Sequence, residues 1–459
     1  MQKIAANSIR SRLSLRPRDI RVFPTDNVPL VMPANAKLLA WGFFLIYFIE
    51  NGTLGLFPTS VYFVYRNIRI SDFFIYGLTI YSLWNQREFL ELYRSKSTTI
   101  LKIIIGYLLA QFLVSTILYD YNILEYFFRL KGTWSSFLVF PYMLLLKRKG
   151  LPYLAKLILP VAIVSNILYI LSAVTGMAFL PSIGIEKQNL PGGLEVYRVF
   201  GGTFFGELFF LGFIFRWITD RFRLYELFLV ILFVVPHILA FGRSAWAFFS
   251  MTILIMFVWN SLRKREFKIA VRQVILIAVL GITVFYAFTK FVPRSDYLTE
   301  AITARIEQGE EDYTHQEGTY GSRLASVDAL IQLWLNSNVV FGIGMHPLWV
   351  VKAVTVEESQ YAWGFSDVGW AGVLAAYGAV GFLLSLIFQL YFIRSTFNIL
   401  RRTKLNDLNT FLVLVFFSKL IFDMVISYST VFFTCGLWGF CTVVFYLAAV
   451  VYKKEHPDE

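Results

Sequence analysis

Apolar stretches of about 20 residues recur along most of this chain of 459 residues. A helix needs about 20 residues to cross the apolar core of a bilayer, whereas a membrane-spanning β-strand needs about 10 residues of alternating polarity. Only 16% of the residues are charged, compared with about 25% in soluble domains. The pattern therefore excludes a soluble globular protein and an outer-membrane barrel, and it predicts an all-α, polytopic helical membrane protein.

We place about twelve transmembrane helices on these stretches, because each span needs about 20 apolar residues. The first stretch is overlong, and it is either one tilted helix or a helix interrupted at Glu50-Asn51-Gly52. The twelve stretches lie at roughly 38–65, 70–86, 100–119, 124–146, 152–176, 200–217, 223–241, 243–262, 269–290, 365–393, 409–428 and 431–452.

Lysine and arginine decide the orientation, because cytoplasmic loops of membrane proteins carry an excess of both. With twelve spans the basic clusters fall on one side, together with both termini. The opposite side carries a large loop with four basic and ten acidic residues, a net charge of −6 in a chain of net charge +12. We therefore predict a basic cytoplasmic segment at 1–37, helices 1–9 at 38–290, a large periplasmic loop at 291–364, helices 10–12 at 365–452 and a cytoplasmic tail at 453–459.

The common catalytic motifs are missing from the sequence, which has no GxxxxGK[ST], GxSxG, HExxH or CxxC. Two cysteines exclude a disulfide scaffold, and four histidines leave little room for a histidine metal centre. The acidic run Glu310-Glu311-Asp312 is either a solvated loop segment, which we favour, or a divalent-ion site. The positive net charge fits loops that face anionic lipid. We therefore expect no cofactor, no metal and no nucleic-acid partner.

Three arginines near the outer ends of the predicted spans are candidates to bind a diphosphate, because a charge there is costly unless it serves a function. Each has a structural alternative. Arg198 could be an interfacial snorkelling residue, Arg243 a turn residue tied to carbonyls, and Arg323 part of a solvated face. Apolar residues at helical spacing predict an amphipathic helix over 321–336, and Ser322 as its N-cap would place Arg323 where an anion is favoured.

Other polar residues are candidates to move a proton or to hold the substrate. Glu207 is either a base or a partner for an arginine, and we favour the partner. Asp367 is a base or a helix cap, and His346 is the best-placed histidine for base work. Further candidates for substrate binding in the large loop are Arg294, Arg305 and Tyr320.

Two positions within the predicted spans have mainly structural interpretations. His237 is expected to be a buried core group whose hydrogen bonds are satisfied. Lys419 and Asp423 are four residues apart, which predicts a buried ion pair on one helix. A proton or ion path through this pair is the alternative.

Four groups of residues follow one another in a characteristic order. They are Tyr197-Arg198-Val-Phe-Gly-Gly-Thr-Phe-Phe-Gly, then Gly242-Arg243-Ser244-Ala245-Trp246, then Gly321-Ser322-Arg323-Leu324 with Phe341-Gly342-Ile343-Gly344, and last Ser366-Asp367 leading into Gly378-Ala379-Val380-Gly381. In this order, and in topology, the chain resembles the superfamily of O-antigen polymerases and O-antigen ligases between roughly residues 160 and 395.

The resemblance implies a metal-independent glycosyltransferase with a GT-C-like helical bundle in the bacterial inner (cytoplasmic) membrane, with its active site facing the periplasm. Its donors would be undecaprenyl-pyrophosphate-linked oligosaccharides, and a chain-length regulator is a candidate partner. The resemblance also implies that Arg198 and Arg323 bind the pyrophosphate and sugar, with Arg243 supporting them.

Two branches of this superfamily differ in their acceptor. A polymerase transfers the growing glycan onto another lipid-linked repeat unit, whereas a ligase transfers finished glycan to lipid A core or to a protein. Ligases generally carry a histidine where this chain has Ser366-Asp367, which favours the polymerase. His346 keeps the ligase open as an alternative. A flippase or transporter of lipid-linked glycans is the third hypothesis, although the chain shows no internal repeat.

Overall fold

A computed structural model shows a predominantly helical protein. Four of the described helices are long and apolar enough to cross a membrane, namely Leu151–Ala173, Ser244–Arg263, Gly369–Arg401 and Leu408–Val425. This architecture is consistent with the predicted all-α membrane protein. The structure describes residues 34–50, 63–65, 68–88, 99–119, 138–180, 184–190, 194–200, 203, 205–219, 224–240, 242–264, 318–343, 369–402 and 407–427, together with isolated positions between 271 and 315.

Eleven α-helices are described without interruption, and we number them in chain order. They are α1 (Ala34–Glu50), α2 (Ile70–Trp84), α3 (Thr99–Tyr119), α4 (Val139–Lys147), α5 (Leu151–Thr175), α6 (Gly206–Thr219), α7 (Leu224–Leu239), α8 (Arg243–Lys264), α9 (Gly318–Leu335), α10 (Gly369–Arg402) and α11 (Asp407–Phe422). A 3₁₀ turn, Gln86–Glu88, follows α2, and a π-helical turn, Asp423–Ser427, follows α11.

Two small antiparallel hairpins interrupt the helices. The first pairs β1 (Phe63–Tyr65) with β2 (Ile68–Arg69), and the second pairs β3 (Gly184–Leu190) with β4 (Leu194–Phe200). The second hairpin lies between the apolar stretches predicted as spans at roughly 152–176 and 200–217, in a segment for which no regular structure was predicted. Its seven paired positions give this segment a fixed register within an otherwise predominantly helical protein.

The helices agree with several of the predicted spans and modify others. Helix α1 ends at Glu50 and β1 begins at Phe63, so the first apolar stretch is interrupted rather than being one tilted helix. The helix predicted over 321–336 is confirmed as α9, although α9 begins at Gly318 and Ser322 is therefore not its N-cap. The predicted spans at 269–290 and 431–452 lie outside the continuously described ranges.

Helix α6 is the most enclosed helix of the described bundle. It packs against α5, α7 and α8, and every residue from 211 to 218 is buried. A helix that is apolar on all sides is stable only when neighbours surround it, as here. Rings from adjacent helices fill the contact with α7, where Phe209 stacks on Phe233 with centroids 5.5 Å apart. The start and end of α6 are therefore held by the helices around it.

Helix α10 is sharply bent at Gly378, whose backbone has φ 64° and ψ −171°. Trp370 and Phe382 show the size of the bend, because their ring centroids are only 5.1 Å apart. A straight helix would separate residues twelve positions apart by about 18 Å along its axis. Only glycine adopts this backbone conformation readily, so the bend requires a glycine at this position.

The segment that follows α9 fills the bend and supplies the hydrogen bonds that the bend removes from α10. The Ala379 and Val380 N–H groups donate to the carbonyls of Val339 and Val340, at 2.9 and 3.2 Å. In the reverse direction, the Ile343 N–H donates to the Ala375 carbonyl at 2.9 Å. We call this exchange between residues 338–343 and 375–380 the backbone interlock.

Helix α3 completes the interlock with two polar side chains. The Tyr107 hydroxyl donates to the Tyr377 carbonyl at 2.6 Å, and the Gln111 amide donates to the carbonyl of Phe341. A buried carbonyl without a partner costs about 1–3 kcal/mol, so each bond removes a substantial penalty. Residues 341–343 of the Phe-Gly-Ile-Gly segment therefore meet the Gly-Ala-Val-Gly segment in space.

We expect Gly378→Ala and Gly342→Ala to destabilise the protein. An added Cβ at Gly342 would lie 2.6 Å from the Ala375 carbonyl oxygen, and one at Gly378 would meet the Val340 carbonyl. Backbone strain of about 1–3 kcal/mol adds to an overpacking cost of about 1–3 kcal/mol. The midpoint of thermal unfolding in detergent should fall clearly for both variants.

The matched control is Gly77→Ala. Nothing lies within 4 Å of the Cβ position at Gly77, which is inside α2. This substitution should leave the midpoint unchanged or raise it, because alanine is favoured over glycine in a helix by about 0.5–1 kcal/mol. Equal midpoints for the Gly77 and Gly378 variants would contradict the interlock as a stabilising element.

Candidate functional site

The β3–β4 hairpin and the ends of four helices meet at one end of the bundle. Val199 of β4 is fully buried in a small cluster with Tyr169 and Leu180, and Leu239 at the end of α7 packs against them. The Tyr169 hydroxyl also donates to the Val199 carbonyl at 2.5 Å. We call this region, which includes the ends of α5 and α7 and the starts of α6 and α8, the hairpin end.

The backbones of two predicted arginines lie at the hairpin end. Arg198 adjoins Val199 in β4 and is paired in register with Glu186. Arg243 is the first residue of α8, four positions after Leu239. The tight turn predicted around Arg243 is confirmed, since α7 ends at Leu239 and α8 begins at Arg243. The side chains of both arginines lie outside the part of the structure that is described.

A strained turn leads from the hairpin into α6. Phe205 has a φ of 54°, which is unusual for a bulky residue and is typically kept at sites where the surroundings fix the backbone. The Gly206 N–H donates to the Thr203 carbonyl at 2.6 Å. A Cβ on Gly206 would lie 2.8 Å from the Asn166 side-chain oxygen of α5, so α6 begins directly against α5. This turn fixes the position of the next residue, Glu207.

Glu207 extends from the first turn of α6 and has 53% of its side-chain surface exposed. Its Oε1 lies 3.9 Å from Nδ1 of His237, which is buried in α7. Among the residues that the structure describes, the charged or titratable neighbours of Glu207 are His237 and Lys419. An arginine as the partner of Glu207 stays a prediction, because the side chains of Arg198 and Arg243 are not described.

His237 differs from the satisfied core histidine that we predicted. Its ring is buried and packs edge-on against Phe249, with centroids 4.9 Å apart. Its Nε2 has no hydrogen-bond partner among the described residues. The prediction of burial is therefore confirmed, and the prediction of satisfied hydrogen bonds is wrong. A polar atom that is buried without a partner costs free energy and often marks a site with a functional role.

Lys419 and Asp423 form the predicted ion pair on α11. Nζ of Lys419 lies 2.6 Å from Oδ1 of Asp423, whose side chain is only 1% exposed. The ammonium group also lies over the rings of Phe248 and Phe422, 5.7 and 5.5 Å from their centroids. Asp423 begins the π-helical turn, a type of irregularity that is frequent at functional sites.

Glu207, His237, Lys419 and Asp423 thus form one set of ionisable residues, which we call the polar cluster. They come from α6, α7 and the end of α11, and Lys419 is close enough to Glu207 to act on its charge. The sequence noted each residue separately. It gave no signal that α11 approaches the start of α6, because their sequence separation exceeds 200 residues and only the fold brings them together.

The opposite end of the bundle holds ion pairs of a different kind. Arg216 and Glu226 are 3.0 Å apart with side chains that are 3% and 0% exposed, and Trp217 Nε1 donates to Glu226 at 2.9 Å. Nearer the surface, Arg148 Nε donates to Glu88 at 2.9 Å, and this hydrogen bond lowers the pKa of Glu88. These pairs are enclosed or mutually neutralised, which favours a structural role.

The remaining predicted residues are not brought to the hairpin end by any described contact. Arg323 is exposed on α9, a helix that packs on α10. Because α9 begins at Gly318, Arg323 lies beyond the first turn, where the field of the helix N-terminus has largely decayed. Tyr320 belongs to α9, but its side chain is not described. Four predicted residues fall outside the described ranges: Arg294, Arg305, His346 and Asp367.

No group of three or more possible metal ligands occurs among the described residues. Glu310 of the acidic run is exposed, and the structure does not describe Glu311 and Asp312.

Comparison of the chain with known protein families finds no match. Comparison with curated protein sequences finds no match either. The resemblance to the O-antigen polymerases and ligases therefore remains a prediction from the residues quoted above.

Removing one partner of the Lys419–Asp423 pair should destabilise the protein. Lys419→Met leaves the buried Asp423 carboxylate without its cation, and breaking a buried pair in this way costs about 3–5 kcal/mol. The double variant Lys419→Met/Asp423→Leu removes both charges and should recover much of the loss. Thermal unfolding midpoints of the detergent-solubilised proteins measure both effects.

Lys156→Met serves as the control, because Lys156 is an exposed lysine within α5. Exposed substitutions of this kind usually change stability by less than about 0.5 kcal/mol. If Lys419→Met unfolded at the same temperature as Lys156→Met, the ion pair would not contribute to stability.

Proposed function

We propose that the protein is a membrane glycosyltransferase of the O-antigen polymerase type. In this proposal it transfers a growing glycan from undecaprenyl pyrophosphate onto a lipid-linked repeat unit. The single observation that carries the proposal is the convergence at the hairpin end, where the backbones of Arg198 and Arg243 lie at the same end of the bundle as the polar cluster. Cations and a partly exposed carboxylate at one end of an apolar bundle suit a reaction on the anionic headgroup of a lipid.

The chemistry of this reaction is compatible with the residue types present. A glycosyl pyrophosphate is already activated, since the diphosphate leaves with the electrons of the bond to the anomeric carbon. Arginine binds phosphate oxygens through two parallel hydrogen bonds and stays charged at all relevant pH values. Guanidinium groups at the hairpin end would therefore stabilise the charge that develops on the leaving diphosphate more than the charge of the bound donor.

The distribution of charge along the helices supports an orientation with the hairpin end in the periplasm. Basic residues lie at the opposite ends of the described helices, for example Lys147 in α4, Arg216 in α6, Arg263 in α8 and Arg401 in α10. Because cytoplasmic ends are enriched in lysine and arginine, we propose that this opposite end faces the cytoplasm. The proposal further includes about twelve spans, a GT-C-like bundle, a large periplasmic loop, both termini in the cytoplasm and residence in a bacterial inner membrane.

A transporter of lipid-linked glycans is the second candidate, because the bend in α10 divides a membrane-spanning helix. Broken helices in transporters direct free backbone groups at substrates or ions. In this protein several backbone groups at the bend are already bonded to the loop after α9 and to Tyr107. The bend is therefore better suited to hold the loop in place than to bind a transported ion, and we favour the transferase.

Reconstitution with lipid-linked repeat units tests the proposal. We expect the wild-type protein to make a ladder of glycans, and Arg198→Ala or Arg243→Ala to slow its formation about 100-fold or more, as expected for loss of a group that stabilises the transition state. Arg323→Ala tests the role that the resemblance assigns to this residue in the same assay. Arg263→Ala is the matched control, because Arg263 lies on α8 with Arg243 but at the other end of the helix.

The products distinguish the alternatives. Normal ladders from Arg198→Ala and Arg243→Ala proteins would reject the assigned roles. Transfer of finished polymer to lipid A core or to a protein, without a ladder from repeat units, would indicate the ligase. Movement of labelled lipid across liposomes without a new glycosidic bond would indicate the transporter.

A further inference from the structure

We propose that Glu207, whose Oε1 lies 3.9 Å from Nδ1 of His237 at the hairpin end, is the carboxylate that removes the proton from the incoming sugar hydroxyl. This inference rests on the transferase function proposed above. It gives the role of base to a residue for which the sequence favoured a structural partner, and it does so on contacts that the sequence did not reveal.

Position is the first argument. Within the polar cluster, Glu207 has the most exposed side chain, while Asp423 and His237 are buried. It lies in the first turn of α6, directly after the strained turn at Phe205 and nine positions beyond Arg198. A base must be open to the acceptor and lie on the same side of the bundle as the group that binds the donor. Glu207 is partly exposed and lies at the hairpin end, as do the backbones of Arg198 and Arg243.

Charge is the second argument. The protein atoms that surround Glu207 disfavour its ionised form, and the ammonium group of Lys419 partly offsets this larger effect. The cation therefore favours the form that accepts a proton. Asp423 holds Lys419 in place at 2.6 Å, and the rings of Phe248 and Phe422 lie against the ammonium group. Lys419 is thus fixed as a positioning residue that acts through Glu207 rather than through the substrate.

His237 is the second positioning residue. Nδ1 is the ring nitrogen that has a polar neighbour, Glu207 at 3.9 Å, whereas Nε2 has none among the described residues. A proton on Nδ1 would therefore point toward Glu207, and a shift of about 1 Å would bring the two atoms within hydrogen-bond distance. The other helices beside this pair present an amide, Asn166, and the rings of Phe248 and Phe249, and Arg243 begins α8 nearby.

The proposed step balances in atoms and charge. The acceptor hydroxyl oxygen forms a bond to the anomeric carbon of the donor and gives its proton to the Glu207 carboxylate. The bond between the anomeric carbon and the phosphate oxygen breaks, and the polyprenyl pyrophosphate leaves with the bonding electrons. Glu207 then returns the proton to water.

The test compares Glu207→Gln with Glu88→Gln in the reconstituted full-length protein. Glu88 is also a partly exposed glutamate beside a cation, but it lies at the opposite end of the bundle. We expect Glu207→Gln to lower the transfer rate about 100- to 10,000-fold, the usual contribution of a general base. Binding of undecaprenyl pyrophosphate in mixed micelles should stay within threefold of wild type, and Glu88→Gln should retain normal transfer.

The pH profile separates a base from a structural residue. Wild-type transfer should fall at acidic pH as the base becomes protonated. Lys419→Met should move this decline to higher pH, because the cation no longer favours the carboxylate, and the conservative Lys419→Arg should restore it. A residue that only supports the fold would change the rate at every pH by the same factor.

Three results would overturn the inference. Transfer by Glu207→Gln within threefold of wild type would exclude Glu207 as the base while leaving the transferase intact. An equal loss of transfer and of undecaprenyl pyrophosphate binding would make Glu207 a binding residue. Failure of the wild-type protein to form any glycosidic bond would reject the proposed function itself, and the base with it.

Discussion

Backbone groups in an apolar environment must be paired, and the arrangement of the described bundle depends on how this is achieved at the bend in α10. An unpaired N–H or carbonyl inside a membrane costs several kcal/mol, so a span can be broken only where another segment supplies partners. Residues 338–343 supply them, and two glycines allow the two backbones to approach closely. The Tyr107 and Gln111 side chains of α3 bond further carbonyls of the interlock, so three distant parts of the chain are joined by hydrogen bonds.

The ionisable residues at the two ends of the bundle differ in how they are paired and how exposed they are. At the end opposite the hairpin, Arg216 and Glu226 neutralise each other in full burial, and a tryptophan N–H bonds the same carboxylate. At the hairpin end, Asp423 binds Lys419, while the nearby Glu207 remains partly open. A carboxylate bonded directly to a guanidinium, such as Glu226 or Glu88, contributes mainly structure, whereas the partly open Glu207 lies 3.9 Å from His237 and retains the capacity to exchange protons with a ligand. This contrast is the physical reason for locating the candidate site at the hairpin end.

Local patterns in the sequence predicted local structure well. Hydropathy predicted most of the described helices, the period of the apolar residues predicted α9, and the four-residue spacing predicted the Lys419–Asp423 pair. The sequence did not predict structural features that depend on contacts between distant parts of the chain. Gly378 lies within an apolar run that predicts one straight helix. The helix is instead bent at Gly378, where the backbone packs closely against Gly342. The sequence predicts an ordinary core residue at position 237, because it cannot show that Nε2 of His237 lacks a hydrogen bond to the described residues.

The interlock and the polar cluster are physically connected through α10. Beyond the bend, the buried Gln389 side chain donates to the Leu420 carbonyl at 3.1 Å, one residue after Lys419. This bond ties the second part of α10 to the turn of α11 that carries the ammonium group. The position of Lys419, and hence its distance from Glu207, therefore depends on where α10 lies.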